Sequence, residues 1–238
     1  REGFKDDRTQ FERGHVLWRG GIAAGGGNVR LDLDGTWLRQ DPASPTPREG
    51  TELSPAVPLD ANNNPEDAHI NERRLYFAGG YDHPAFGTAD WSTTATVTKS
   101  HQGILRGFLT DLSGAVPDAN AIREEIDQTD VYFDTHLAWS HIGGKSRPLV
   151  RVVAGVDHLY GRGRAGGGDF DYSVDLDGGD PDVSGIDNAS RARIHDTRNF
   201  SGLYGQVEWF PGESWRFDVG VRVNHTQEER TASIVEFD

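Results

Sequence analysis

The sequence predicts an all-β fold, an antiparallel up-and-down transmembrane β-barrel of which these residues supply about eight strands. Three observations carry that prediction. Hydrophobic residues recur with a period of two along nearly the whole chain, not with the 3.6 of a helix. The connections between the periodic segments alternate between short and long. The tryptophans fall mostly near strand ends, as aromatic residues do at the two faces of a bilayer.

Taken in order, the first strand, near His15 to Ala24, is the least regular. In the second, Val29, Leu31, Leu33, Gly35 and Trp37 fall on one face and Arg30, Asp32, Asp34 and Thr36 on the other. Leu75, Phe77, Gly79 and Tyr81 then alternate with Arg74, Tyr76, Ala78 and Asp82, and Trp91, Thr93, Ala95 and Val97 with Ser92, Thr94, Thr96 and Thr98. Val131, Phe133, Thr135, Leu137 and Trp139 oppose Tyr132, Asp134, His136 and Ser140. Val150, Val152, Ala154 and Val156 oppose Arg151 and Asp157, and Leu203, Gly205, Val207 and Trp209 oppose Tyr204, Gln206 and Glu208. The last strand sets Trp215, Phe217, Val219, Val221 and Val223 against Arg216, Asp218, Arg222 and Asn224. Each is expected to run about ten residues, the length a tilted strand needs to cross a bilayer.

The punctuation agrees. All 11 prolines are expected in connections or at a strand's first residue, where a missing amide donor is tolerated. All six tryptophans are expected in strands, with Trp209 and Trp215 flanking a tight Pro211-Gly212-Glu213 turn at one membrane boundary. Short joins fall near Gly25 to Asn28, Pro84 to Thr88, Ile142 to Pro148 and Pro211 to Ser214. Long ones run from about Asp41 to His69, His101 to Thr129 and Gly161 to Asn199. Outer-membrane barrels pair short periplasmic turns with long outside loops, whereas three structureless loops of this length count against a compact soluble domain.

Composition excludes several classes. With 24 Lys and Arg against 38 Asp and Glu, a net charge of −14 argues against a nucleic-acid partner. The absence of Cys excludes disulfides, thiol catalysis and thiolate metal sites. No apolar run approaches the roughly 20 residues of a membrane helix, a test that says nothing of strands. If the short turns are periplasmic, both ends of the chain point outward, and an odd number of strands is expected on each side. The ending Val235-Glu236-Phe237-Asp238 is not a barrel-closing strand. Residues 1–238 therefore read as the central segment of an outer-membrane β-barrel domain, with closing strands outside it.

The hairpin from Gly202 to Asn224 carries a family resemblance. Its small-aromatic-small-Gln-aliphatic-Glu strand, Gly202-Leu203-Tyr204-Gly205-Gln206-Val207-Glu208, is followed by a short turn, Trp215 and the Gly220-Val221-Arg222 strand. It resembles a mid-barrel hairpin of TonB-dependent outer-membrane receptors. That resemblance implies a roughly 22-stranded barrel with a plugged lumen, of which this chain is about a third. It also implies a gated importer whose outside loops capture a scarce solute such as a siderophore, cobalamin, haem or an oligosaccharide. The implied partners are outer-membrane lipid and lipopolysaccharide, the receptor's own plug, TonB acting through an N-terminal part outside this sequence, and a small solute at the loops.

Several other motifs bear on chemistry. Gly161-Arg162-Gly163-Arg164-Ala165-Gly166 matches a GxGxxG string but precedes a Gly/Asp-rich loop rather than a helix, so it reads as a loop entrance and not a pyrophosphate site. The loop it opens carries eight Asp and five Arg, and Asp175, Asp177, Asp180 and Asp182 lack the calcium-loop spacing and its closing Glu. That leaves a solvated polar loop, a calcium site, or a divalent ion shared with lipopolysaccharide phosphates. Asp118 to Ile126 is expected to form a short helix with Asp118 as N-cap, on which the adjacent Glu124 and Glu125 diverge. There is no GxSxG elbow, and His136 beside Asp134 reads as a hydrated lumen histidine. The sequons at Asn188, Asn199 and Asn224 read as chance matches. Arg30, Asp32, Asp34, Arg74, Asp82, Asp134, Arg151, Asp157, Glu208, Arg216, Asp218 and Arg222 face inward, to contact a plug or line a pore. No catalytic, cofactor-binding or metal residue is assigned and no enzyme activity is expected. The leading reading is the receptor. A passive porin, a soluble carbohydrate-binding β-protein and a barrel hydrolase stay open. In the soluble reading Trp37, Val29 and Val221 lie in a protein core.

Overall fold

The computed structural model describes residues 9–143, 147–212 and 214–236. Eight long strands form one antiparallel sheet in which every neighbour in space is a neighbour in sequence. They are β1 Gln10–Ala24, β2 Gly27–Asp41, β5 His69–Pro84, β6 Ala89–Leu109, β7 Ala119–Gly143, β8 Arg147–Tyr172, β9 Ser190–Trp209 and β10 Phe217–Glu236. Two short strands, β3 Arg48–Glu49 and β4 Glu52–Leu53, make a small hairpin inside the first long connection. The sheet is open, with β1 and β10 as its edges. Gly25 and Gly26 join β1 to β2 with φ of 60° and 81°, the left-handed pair that a two-residue hairpin requires.

The strand number and the facing of every alternating segment agree with the sequence, but the lengths do not. The strands run from 15 to 26 residues, well beyond a bilayer crossing. The expected helix from Asp118 to Ile126 is instead the start of β7, paired on both sides with β6 and β8. Ile122 and Ile126 are four apart, a spacing that shares a face on a strand as well as on a helix, and two ready ladders decide between them. For the same reason the long connections shrink to residues 110–118 and 173–189, since β6 to β9 continue through most of the intervals first read as loop. Trp215 lies two residues before β10 and not in a strand, and Pro84 is the last residue of β5. Within the short joins, residues 144–146 and Glu213 lie outside the described residues, as do Phe237 and Asp238.

The outward face has no protein over it across the belt. Val221 is 70% and Trp37 45% exposed and Val29 is half-buried, so none sits in a core. An apolar surface spanning eight strands far exceeds what a water-soluble monomer shows, and lipid is the solvent that suits it. Its upper limit is Trp37 on β2, Leu75 on β5, Val97 on β6, Val131 on β7, Tyr160 on β8, Leu203 on β9 and Val223 on β10. Measured against the strand register, that limit slips toward the short-turn end by eight residues over six strand pairs. At 3.3 Å per residue and 4.8 Å between strands, this slope corresponds to a tilt of about 40°, that of barrel strands in a bilayer. At the other end Trp91, Trp139, Trp209 and Trp215 form an aromatic rim, with Trp215 stacked on Phe217 at 6.1 Å.

The buried apolar cluster lies beyond the belt, on the long-loop side. Leu105 of β6, Ala119 and Ala121 of β7, Phe170 and Tyr172 of β8, and Val174 and Val183 of the 173–189 connection pack together. The Asn62-Asn63-Asn64 run of the first long connection ties it down. Asn64 donates to Pro42 O at 2.8 Å and accepts from Gly107 N at 2.8 Å. Asn63 donates to Asp175 O and accepts the Tyr172 hydroxyl. A side chain at Gly107 would collide with that hydroxyl, which is why glycine stands there. Burial, with Asp118 nearby, pushes the Tyr172 hydroxyl well above its ordinary pKa. The connections expected to be structureless are thus a packed cap.

Candidate functional site

The inward face is polar on every strand, and its charges are grouped rather than scattered. Nearest β1, His15 Nε2 lies 3.1 Å from Asp34, Arg19 Nε 3.2 Å from Asp32, and Arg30 Nε 2.9 Å from Asp82. Ser92 adds a 2.6 Å hydrogen bond to Asp82. Each contact bridges neighbouring strands, the arrangement that opposite-charge pairs favour in an antiparallel ladder.

A tighter group occupies β7 to β10. Asp134 accepts from the Tyr204 hydroxyl at 2.8 Å, and its other oxygen lies 2.9 Å from His136 Nδ1. Arg222 reaches Asp157 at 2.8 Å and Asn224 at 2.7 Å, and its guanidinium stands 5.4 and 5.7 Å from the Phe200 and Tyr204 rings. The Asp157 side chain is only 4% exposed. Two glycines make this packing possible by close approach. A Cβ at Gly155 would meet the Tyr204 hydroxyl at 2.6 Å, and one at Gly202 would meet Arg222 at the same distance. The long side chains lie diagonally across bare backbone to reach carboxylates on the next strand but one.

Toward the short turns, Arg216 bridges Glu208 at 3.0 Å and Asp218 at 2.9 Å, with Arg151 3.8 Å from Glu208. Toward the loops lies an open groove of about 500 Å³ lined by Thr96, Thr98, Gln128, Asp130, Gly161, Gly163 and Asp196. The GxGxxG string is therefore β-strand and not a loop entrance. Gly161 and Gly163 floor the groove, while Arg162 and Arg164 point outward.

The inward set read from the sequence thus faces the lumen, and most of it is joined in pairs. Of the neutral members that complete the clusters, sequence reasoning put Tyr204 and Asn224 on the same face as these charges without joining them to the clusters, and it missed Phe200. Their signal was the even-numbered alternation of β9 and β10, opposite glycines on the adjoining strand. Glu124 and Glu125 point to opposite faces of β7, as neighbours on a strand must. The Asp-rich segment is divided between strand and cap. Asp175 O accepts from Asn63, and the amide and then the hydroxyl of Ser184 hold the Asp182 carboxyl below its ordinary pKa. Among the described residues no three His, Asp or Glu side chains converge as a metal site. Of the sequon asparagines, Asn188 accepts from Arg123 at 3.4 Å, and Asn199 and Asn224 stand within β9 and β10.

A wet, charge-paired inner wall and a bare apolar outer belt on one tilted sheet are what a membrane barrel presents. The family model for the TonB-dependent receptor-like β-barrel matches residues 8–234. No curated protein matches the sequence. The siderophore receptor PiuA from Acinetobacter baumannii aligns with a TM-score of 0.54 at 10% identity, over 96% of this chain and 40% of its own. The ferric-catecholate import receptor Fiu from E. coli K12, in its open form, gives 0.52 at 10% identity, over 96% and 44%. BauA, the ferric preacinetobactin receptor from A. baumannii, gives 0.50 at 8% identity, over 97% and 37%. At these identities the likeness is one of fold. The chain spans about two fifths of the length of these structures.

Proposed function

The chain belongs to the TonB-dependent receptor β-barrel family, and from that premise we propose that it is the middle of the barrel wall of an outer-membrane importer. The solute is a siderophore or comparable metal chelate, captured at the loop side and admitted when TonB acts on a plug inside the barrel. The observation that carries this reading is the single sheet that is apolar outside and charge-paired inside. Its two free edges support flanking strands, because an unpaired edge is not tolerated in lipid. Its inner wall of mixed charges suits a polar plug, whose backbone and side chains such a surface can hydrogen-bond. The choice of solute rests on the neighbours in fold, described as receptors for siderophores and their iron complexes.

The test is uptake by the whole receptor in a Gram-negative strain stripped of its own receptors. Radioiron delivered on catecholate and mixed-ligand siderophores should accumulate, and accumulation should stop when TonB is deleted. Uptake indifferent to TonB would replace the importer with a passive channel. Uptake of cobalamin, haem or oligosaccharide in place of iron would leave the importer standing and change its solute.

A further inference from the structure

The inner wall changes character above the level at which the outward apolar belt ends. Six of the nine isoleucines of the chain, Ile70, Ile104, Ile122, Ile126, Ile194 and Ile234, stand at inward positions there, each five or more residues beyond the belt limit of its own strand. Register brings them together. Ile70, Ile104, Glu124, Gly167, Ala192 and Ile234 form one row, and Ile126, Ala165 and Ile194 lie in the row beneath. Outward neighbours on the same strands, among them Glu125, Asp127 and His195, are polar. The cap does not cover the isoleucines, because Leu105, Ala121 and Phe170, on which it packs, point outward. Ile122 is left 45% and Ile234 73% exposed.

Between β7 and β9 this band hollows into a recess. Gly167 and Ala165 of β8 offer almost no side chain, so Ile122, Ala192 and Ile194 on the flanking strands wall a space of about 320 Å³. Glu124 and Asp169 complete its lining, the latter held by the Ser190 hydroxyl, and no aromatic ring is part of it. Two residues further down the same strand begins the groove of about 500 Å³ over Gly163 and Gly161, walled by Thr98, Gln128, Asp130 and Asp196. One trough thus follows the inner face of β8, aliphatic toward the mouth and hydrogen-bonding toward the membrane. Both volumes suit a small molecule and are too small for a folded domain.

Resting on the importer reading above, we infer that this trough binds an imported metal chelate that bears a linear hydrocarbon chain. The chain lies against Ile122, Ala165 and Ile194, and the polar chelate occupies the groove beside Thr98, Gln128 and Asp196. Isoleucine and alanine reward the burial of methylenes, whereas a bare catecholate gains from rings to stack on, and the recess has none. The inward cation of the groove, Arg198, is already held by Glu228 at 2.7 Å, so a chelate of low charge fits better than a polyanion. The order of the two halves along β8 matches the two halves of such an amphiphile. The plug is a poorer occupant, since the charge-paired wall nearer the short turns already supplies the polar surface it needs.

The test takes the full receptor in lipid nanodiscs and measures binding of ferric hydroxamate and ferric catecholate chelates, each bare and each N-acylated with butanoyl, octanoyl or dodecanoyl chains. Affinity should rise roughly tenfold or more from butanoyl to octanoyl, and dodecanoyl should add little once the recess is full. Ile122→Thr/Ile194→Thr, which keeps a β-branched residue in each strand, should remove most of that rise. Ala165→Phe should do the same by filling the recess, while Val221→Thr on the lipid face keeps the full rise. An affinity indifferent to chain length in the unaltered receptor overturns the inference. So does a rise that survives both recess variants, because it then reflects partition into lipid. Uptake separates the two readings. If no chelate, bare or acylated, binds or enters in a TonB-dependent way, the importer reading fails. TonB-dependent uptake of a bare chelate with no gain from acylation sinks this inference alone.

Discussion

The part of the sheet below Tyr160 and the part above it obey different rules, although the same strands run through both. Below, one face meets lipid and the other water, so each residue's parity dictates its chemistry. Val219, Val221 and Val223 alternate with Asp218 and Arg222 for that reason alone. Above, water reaches both sides, parity loses its meaning, and burial depends on what folds over the strand. There Leu105 and Phe170 are each 1% exposed because two connections cover them. The membrane part is stable through a solvent it does not contain, and the cap through contacts it makes itself.

The largest expected effect separates the two. Phe170→Ala removes a ring from the packed cluster and should cost about 3–5 kcal/mol of local stability. Phe77→Ala, at a lipid-facing site 43% exposed in the chain, should cost far less, because lipid tails fill the space. Hydrogen exchange on the whole receptor reads both. The comparison is wrong if Phe170→Ala leaves the amides of residues 105–109 and 119–123 as protected as before.

The same contrast explains what was legible in the sequence. The alternation that located eight strands and their faces comes from the belt, where two solvents impose it. It ended where the belt ended, so Ser100 to Leu109 and Ala119 to Gln128 read as loop or helix although both are strand. The cap left one faint signal, three consecutive asparagines between Pro58 and Pro65, a polar run that is buried because each amide satisfies a backbone group of another segment. At the lumen wall the charges were legible one by one, since parity put them there. Which carboxylate each cation takes was not, because Arg222 and Tyr204 reach across Gly202 and Gly155 along diagonals that only the register fixes.

A middle-sized effect probes the lumen wall. Asp157 is nearly buried, which alone would suggest the roughly 3–5 kcal/mol of breaking a buried pair. Arg222, however, is 42% exposed and keeps Asn224 and the faces of two rings. In a water-filled lumen it can rehydrate, so Asp157→Ala should cost only about 1–2 kcal/mol in thermal melting of the receptor. A loss above about 4 kcal/mol would mean that the wall there is dry, as under a tightly seated plug.

The smallest effect lies where the two regions meet the 173–189 connection. Asp169 lies three residues before the end of β8, its carbonyl accepts from Ala189 N at 2.7 Å, and the Ser190 hydroxyl bonds its carboxylate. That hydroxyl is the main cause holding the Asp169 carboxyl below its ordinary pKa, against a small opposing effect of burial. A carboxyl whose folded pKa is lowered adds stability that is present above about pH 4 and fades as pH falls through the folded value. Because the group is almost fully solvated, the contribution is a few tenths of a kcal/mol. Exchange at the Ala189 amide, corrected for intrinsic rates, should therefore quicken modestly in the native receptor between pH 6 and pH 3. Ser190→Ala should begin at the quicker rate and lose that pH dependence. If the variant keeps the same dependence, the connection is held by its packing on Phe170 and Tyr172 and not by this hydrogen bond, which would extend the rule of the cap to its outermost anchor.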